Sequence, residues 1–195
     1  SKISCRASGA WSHGARTRGV TVPTFSSLIN ADLQRLGQAS GICLWLRIIH
    51  PRFVPVLLIR LSGACHCSSL LRPLSMVFSL ANVILFGLEV TPRCKIGPGL
   101  LIPHTSGTVI GAAELGSNVT IFQGVTLGAK FADLGFNPES RPKLGDNVVI
   151  GSGAKVLGGF WVHNNAVVAS NSLVTEEVHE GALAIGVPAI IKVRA

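Results

Sequence analysis

From Val90 onward, aliphatic residues return every six positions. Val90, Ile96, Ile102 and Thr108 share the first place of a six-residue unit. After a one-residue slip, Ala113, Val119 and Val125 take it. After a longer break, Leu144, Ile150, Val156, Val162, Val168 and Val174 hold it in unbroken register. The fifth place is usually small or apolar (Cys94, Ser106, Ala112, Ser117, Ala129, Val148, Ala154, Ala166, Ser172, Val178), and glycine takes the second at 97, 145 and 151. This is the signature of a hexapeptide β-helix. Each hexad is a short strand plus a corner, its first and fifth side chains turned inward. Three hexads close a coil, and stacked coils bury a column of aliphatics that no single coil could bury. Four to five coils, at about 4.8 Å per strand layer, give a prism roughly 20 Å tall. The fold class expected is mainly β, a parallel β-helix over residues 88–180 with an α-helical region before it.

That region spans residues 26–87. "SSLINADLQRLGQ" starts on serine and spaces Leu28, Ile29, Leu33 and Leu36 as a helix does. The stretch 74–88 is mostly apolar but shorter than the about twenty residues of a membrane span, which favours a buried helix or an oligomer contact. Residues 1–25 lack apolar periodicity and read as a loose arm. They have no apolar core of the kind a secretory signal needs. Residues 181–195 read as a closing segment over the open end of the stack.

Twenty-two glycines and no tyrosine among 195 residues favour tight turns over an aromatic core. The net charge of +8 points to an anionic partner, either a phosphorylated cofactor or a membrane surface touched peripherally. Basic residues are not interleaved with aromatics, and no nucleic-acid-binding module is present, so nucleic acid is not expected. The five cysteines are odd in number and unevenly spaced, which argues against a disulfide framework and for a cytoplasmic location. Cys65-His66-Cys67 lacks the second ligand pair that structural zinc needs, and no metal is expected.

Two features interrupt the repeat. Residues 131–143, "FADLGFNPESRPK", break the register, and such an excursion from a regular stack is more often functional than neutral. His104, in "GLLIPHTSGTVIG", holds the third place of its hexad. That place is a corner, which weighs against a core histidine. The histidines at 13, 50, 66, 163 and 179 show no paired spacing with it, which weighs against a metal ligand. A turn-capping residue and a general base remain. Glu89 lies fifteen residues upstream, near one coil of eighteen, so it could orient the imidazole from the adjacent rung or be a plain strand-entry charge.

"GPGLLIPHTSGTVIG", "VTIFQGVTLG", "RPKLGDNVVIGSGAKVLG" and "AIGVPA" resemble the serine O-acetyltransferase branch of the left-handed β-helix acyltransferases over residues 86–191, as does "HPRFVPVLLIRLS" less closely. The resemblance implies a left-handed coil and a homotrimer, with pairing of two trimers through the N-terminal half left open. It also implies direct acetyl transfer from acetyl-CoA to a hydroxyl, a step of cysteine biosynthesis. It places the general base on His104 and its orienting carboxylate on Glu89. CoA contacts fall on Gly128, Ala129, Ser152 and Ser170, and Lys192 and Arg194 are candidates for its phosphates. Two departures stand out. The family's aspartate before the histidine is Pro103 here, and its Arg-His pair before "PK" is Ser140 and Arg141. Arg141 could still bind an acceptor carboxylate, but the partner for serine's ammonium is lost. A sugar hydroxyl, as in polysaccharide O-acetyltransferases, is therefore the competing acceptor. A non-catalytic trimeric scaffold is the reading outside enzymology.

Overall fold

A computed structural model describes residues 23–40 and 48–194. The arm expected over residues 1–25 lies outside the described residues apart from its last three. Helix α1 (Phe25–Ser40) starts on a reciprocal pair: the Ser27 N–H donates to the Thr24 hydroxyl at 3.3 Å, and the Ser27 hydroxyl donates to the Thr24 carbonyl at 2.7 Å. Helix α2 (Val54–His66) has Pro55 in its first turn, where a missing N–H does no harm. Helix α3 (Arg72–Phe86) ends at Gly87, whose φ of 60° forms a left-handed cap. The Ser62 hydroxyl meets those of Ser75 at 3.1 Å and Ser79 at 2.8 Å, tying α2 to α3.

The helices are bolted to the first coil through one buried ion pair. Asp32 on α1 accepts from Arg60 Nε at 2.8 Å and Nη2 at 3.0 Å, and also from the backbone N–H groups of Gly99 and Leu100, both at 2.9 Å. Arg60 on α2 in turn donates to the carbonyls of Ile96 and Gly97, both at 2.6 Å. Around this bolt, Leu33, Leu36 and Phe53 form a small apolar cluster that Leu101 packs against.

Fourteen short strands follow Gly87: β1 (Leu88–Val90), β2 (Lys95–Ile96), β3 (Thr108–Ile110), β4 (Glu114–Leu115), β5 (Thr120–Ile121), β6 (Thr126–Gly128), β7 (Lys143–Leu144), β8 (Val149–Ile150), β9 (Lys155–Leu157), β10 (Trp161–Val162), β11 (Val167–Val168), β12 (Leu173–Val174), β13 (Leu183–Gly186) and β14 (Ala189–Lys192). They form three sheets, the walls of a prism. One wall is β1-β3-β6-β9-β12, the second β2-β4-β7-β10 and the third β5-β8-β11-β13-β14. All pairs are parallel except the terminal hairpin β13–β14, which extends the end of the third wall. In the upper coils Leu144 pairs with Val162, Ile150 with Val168 and Val156 with Val174, the eighteen-residue repeat of three hexads.

The lower register differs from the expected one. The rung partners of Ile150, Val156 and Leu144 are Ile121, Leu127 and Leu115, not Val119, Val125 and Ala113. The latter three lie two residues earlier, where Val148 and Ala154 stand in the next coil. Side chains two apart on a strand share a face, so both sets point inward and both are buried. Inward aliphatics alone cannot tell the first hexad place from the fifth.

Two further expectations are corrected. Helix α3 is not a buried helix within the chain: Met76, Val77, Leu80, Ile84 and Leu85 are all exposed. With the preceding turn it forms an 18-residue helical segment, Ser69–Phe86, of mean hydropathy 1.6, long and apolar enough by composition to cross a membrane. Cys67 is disulfide-bonded, where the odd and uneven cysteines argued against a disulfide framework.

Candidate active site

The corner ahead of β3 is longer than a regular hexad corner. Ile102 and Ile110 are both fully buried, yet eight positions apart rather than six. The two surplus residues make residues 103–107 bulge from the prism edge, with His104 exposed on the bulge. Gly107 makes the turn possible: its φ is 70°, and its N–H donates to the Gly87 carbonyl of the rung below at 2.9 Å. The Ser106 carbonyl accepts from the Gly124 N–H of the rung above at 3.0 Å. The bulge is thus pinned from both sides while the imidazole stays open to solvent.

Beside it lies a cavity of about 560 Å³, lined by Pro51, Arg52, Phe86, Pro103, His104, Thr105, Ser106 and Gln123. The helical half therefore closes one side of a histidine pocket that the coil alone would leave open. No carboxylate lines it among the described residues. Glu89 lies elsewhere, on the outward face of β1 beside Val109, in a second cavity of about 380 Å³. Within the chain His104 and Glu89 share no hydrogen bond among the described residues, although β1 and β3 are adjacent rungs. Glu89 projects from the middle of a wall, whereas His104 projects from the corner that precedes it.

The corner itself organises the other groups. Backbone hydrogen bonds stack Gly107 on Gly87, Gly124 on Ser106, Gly153 on Gln123 and Asn171 on Ser152. Ser152 and Ser170 stand directly above Gln123, their hydroxyls 3.2 Å apart. A vertical edge thus runs from the His104 cavity through Gln123 to Ser152 and Ser170. Lys155 reaches it from β9, its ammonium donating to the Gly124 carbonyl. The edge brings together His104, Ser152 and Ser170. Gly128 and Ala129 line the Glu89 cavity on the other side of the same wall, and Lys192 sits on the terminal hairpin.

Arg141, expected from the resemblance to bind an acceptor carboxylate, is bonded within the excursion. Its Nε donates to the Asp133 carboxylate at 2.9 Å, and its two other nitrogens reach the carbonyls of Gly111 at 2.8 Å and Asp133 at 2.9 Å. Its guanidinium also lies 4.4 Å from the centre of the Phe136 ring, with Arg93 at 5.8 Å from that centre. Partial burial pushes the Asp133 carboxyl up. The Asn137 N–H, Arg141 and the Ser140 hydroxyl outweigh that and hold it below its usual range. Arg141 is a staple of the excursion, which leaves after β6 and returns at β7.

Arg52, Phe86 and Gln123 were not anticipated. A signal for Gln123 existed: it holds the third place after Ile121, as His104 does after Ile102, Ser152 after Ile150 and Ser170 after Val168. Arg52 and Phe86 carry no such mark, because the helices that supply them pack on the coil at no fixed spacing.

Comparison with known proteins decides the family. A Helicobacter pylori (strain ATCC 700392 / 26695) serine acetyltransferase is 37% identical over 140 residues, covering 71% of this chain and 80% of that protein. The chain belongs to the serine acetyltransferase family. A second member, from Staphylococcus aureus (strain Mu50 / ATCC 700699), is 43% identical over 103 residues, covering 52% of this chain and 47% of that one. The family model for bacterial transferase hexapeptide repeats (six repeats) matches residues 141–176. Among solved structures, the Neisseria gonorrhoeae serine acetyltransferase superposes with a TM-score of 0.75 at 29% identity, covering 87% of this chain and 65% of that chain. A serine acetyltransferase in complex with CoA superposes with a TM-score of 0.72 at 28% identity, covering 86% of this chain and 69% of that one. Serine acetyltransferase membership makes the chain an acyltransferase and its coil a left-handed parallel β-helix with N-terminal helices, the fold class expected from the hexads and the resemblance.

Proposed function

We propose that the chain is an acetyl-CoA-dependent O-acetyltransferase of the serine acetyltransferase type, with His104 as general base. The observation that carries this reading is an exposed histidine on a pinned corner bulge, at the foot of a vertical edge and beside a cavity of about 560 Å³. The long pantetheine arm lies along that edge, past Ser152 and Ser170, where short side chains let it approach the backbone. Its thioester end then faces the cavity that holds the acceptor.

The imidazole nitrogen of His104 accepts the proton of the acceptor hydroxyl as its oxygen attacks the thioester carbon. The carbonyl oxygen gains negative charge, which backbone N–H groups of the corner stabilise. Collapse breaks the carbon–sulfur bond, and the proton held on His104 passes to the departing thiolate. No acyl-enzyme is required. Since no hydrogen bond joins Glu89 to the ring among the described residues, acceptor and neighbouring groups share in orienting His104. A homotrimer fits this reading, because both the edge and the α3 face lie open on the single chain. Serine is the acceptor that the relatives favour. A sugar hydroxyl is the second reading, favoured by Pro103 and by a lining with no carboxylate for an ammonium.

Thiol release from acetyl-CoA tests the proposal. His104→Ala is expected to lower kcat by at least about 10²-fold, the usual worth of a general base, with the fold unchanged by circular dichroism. Unchanged turnover would remove His104 from the role of general base.

A further inference from the structure

We propose that Arg52 selects the acceptor: its guanidinium holds an anionic group of the hydroxyl compound that His104 deprotonates. The inference rests on His104 as the base and names the acceptor class for that same cavity, a hydroxy acid whose ammonium, where it has one, is not recognised.

Three observations carry it. First, Arg52 is the one permanently charged side chain lining the His104 cavity among the described residues, and no carboxylate lines it. Second, its guanidinium is uncommitted. Arg60 is spent on Asp32 and two carbonyls, Arg93 donates to the Gly135 carbonyl, and Arg141 is spent on Asp133 and Gly111. Arg52 makes no side-chain hydrogen bond or ion pair among the described residues. An arginine presents five N–H donors in a planar fork that matches a carboxylate in two parallel bonds, so this fork is available for a ligand.

Third, its backbone is planted while its head is free. The Arg52 N–H donates to the His50 ring nitrogen at 3.2 Å, and Phe53 N–H donates to the His50 carbonyl at 2.8 Å. The Phe53 side chain is buried between α1 and α2. A fixed turn therefore supplies a long cation to the same cavity from the helical side, while the bulge supplies His104. An acceptor anchored by its acid group at Arg52 presents its hydroxyl to the imidazole. An ammonium on the same skeleton meets Pro103 and Phe86 and gains no ion pair.

The test is an acceptor series with acetyl-CoA on the intact chain. It compares L-serine, glycerate (a hydroxyl in place of the ammonium) and serinamide (a neutral amide in place of the carboxylate). The expected kcat/KM values for serine and glycerate lie within about 10-fold of each other, and serinamide lies well below both. Arg52→Gln is expected to raise KM for serine and glycerate by about 10- to 100-fold, the worth of a charge-assisted pair, with little change in kcat. Circular dichroism matching the wild type reports that the variant is folded. Arg52→Lys should recover part of the loss, since it keeps the charge without the fork. Unchanged KM for serine in Arg52→Gln overturns the proposal while leaving the acetyltransferase reading intact. So does a preference for serine over glycerate above about 100-fold, which requires an ammonium partner. Turnover of serinamide alone overturns it in favour of a neutral acceptor. No turnover of any of the three overturns this proposal, and thiol release with a sugar acceptor would then keep the acetyl-transfer reading.

Discussion

At the scale of single residues, the chain separates charges that hold the structure from charges left free for chemistry. Asp32 and Arg60 are the clearest case of the first kind. Their side chains are 0% and 4% exposed, and together they satisfy two N–H groups and two carbonyls of the first coil. Removing one partner strands the other charge in a dry interior. Asp32→Ala is therefore expected to lower unfolding stability by about 3–5 kcal/mol, read as a fall in the urea midpoint. Replacing both by apolar residues of similar volume should cost less than the single change, because no bare charge remains. The sequence carried a mark of this pair. Ile29, Asp32, Leu33 and Leu36 fall on one helical face, so a carboxylate stands inside an apolar stripe. Its partner, 28 residues away, follows no spacing rule and could not be read. His104 was legible for the opposite reason, since a strict repeat makes any polar residue at a corner conspicuous.

At the scale of elements, the walls were easier to read than the corners. Six-residue periodicity identified every inward aliphatic of the upper coils, because rungs at eighteen residues leave little freedom. In the lower coils it misassigned the first and fifth places, since the bulge at residues 103–107 shifts register by two while inward faces stay apolar. The excursion was visible as a break, but its inner bonding was not. Arg141 reads as a ligand in sequence and is a staple in the fold, held by an aspartate eight residues before it. The state of that staple follows pH. Asp133 titrates below its usual value near 3.8, so its ion pair is fully formed above that value and is lost as pH falls through the lower one. Cleavage within the excursion by an acid-active protease such as pepsin should accelerate over that interval. Asp133→Asn should be cut as fast by thermolysin at neutral pH. Equal resistance of variant and wild type at neutral pH would show that the staple does not hold the excursion.

At the scale of the whole molecule, the prism is self-sufficient and the helical half is not. The first-place aliphatics of the upper coils, from Leu144 to Val174, are at most 1% exposed, whereas on α3 Met76 and Ile84 are each 71% exposed and Val77 and Leu80 each 58%. These positions fall at i, i+1, i+4 and i+8, one face of a helix, while Ser75, Ser79 and Asn82 hold the other face against Ser62 and the Pro55 carbonyl of α2. A continuous apolar stripe of that kind is unusual on a soluble monomer and marks a contact surface. In the homotrimer proposed above, second copies of this chain cover it and bring one chain's vertical edge against the next. Sedimentation equilibrium is expected to give three chains per particle. The double variant Leu80→Glu/Ile84→Glu puts two carboxylates on the face that must be dehydrated, each without a partner, and is expected to sediment as a single chain. If the catalytic groove forms between chains, thiol release should fall with the trimer fraction and recover as protein concentration is raised. A variant that stays trimeric with full activity would move the seam away from α3. The stripe would then be left to an anionic membrane surface, which vesicle co-sedimentation across a salt series reads directly.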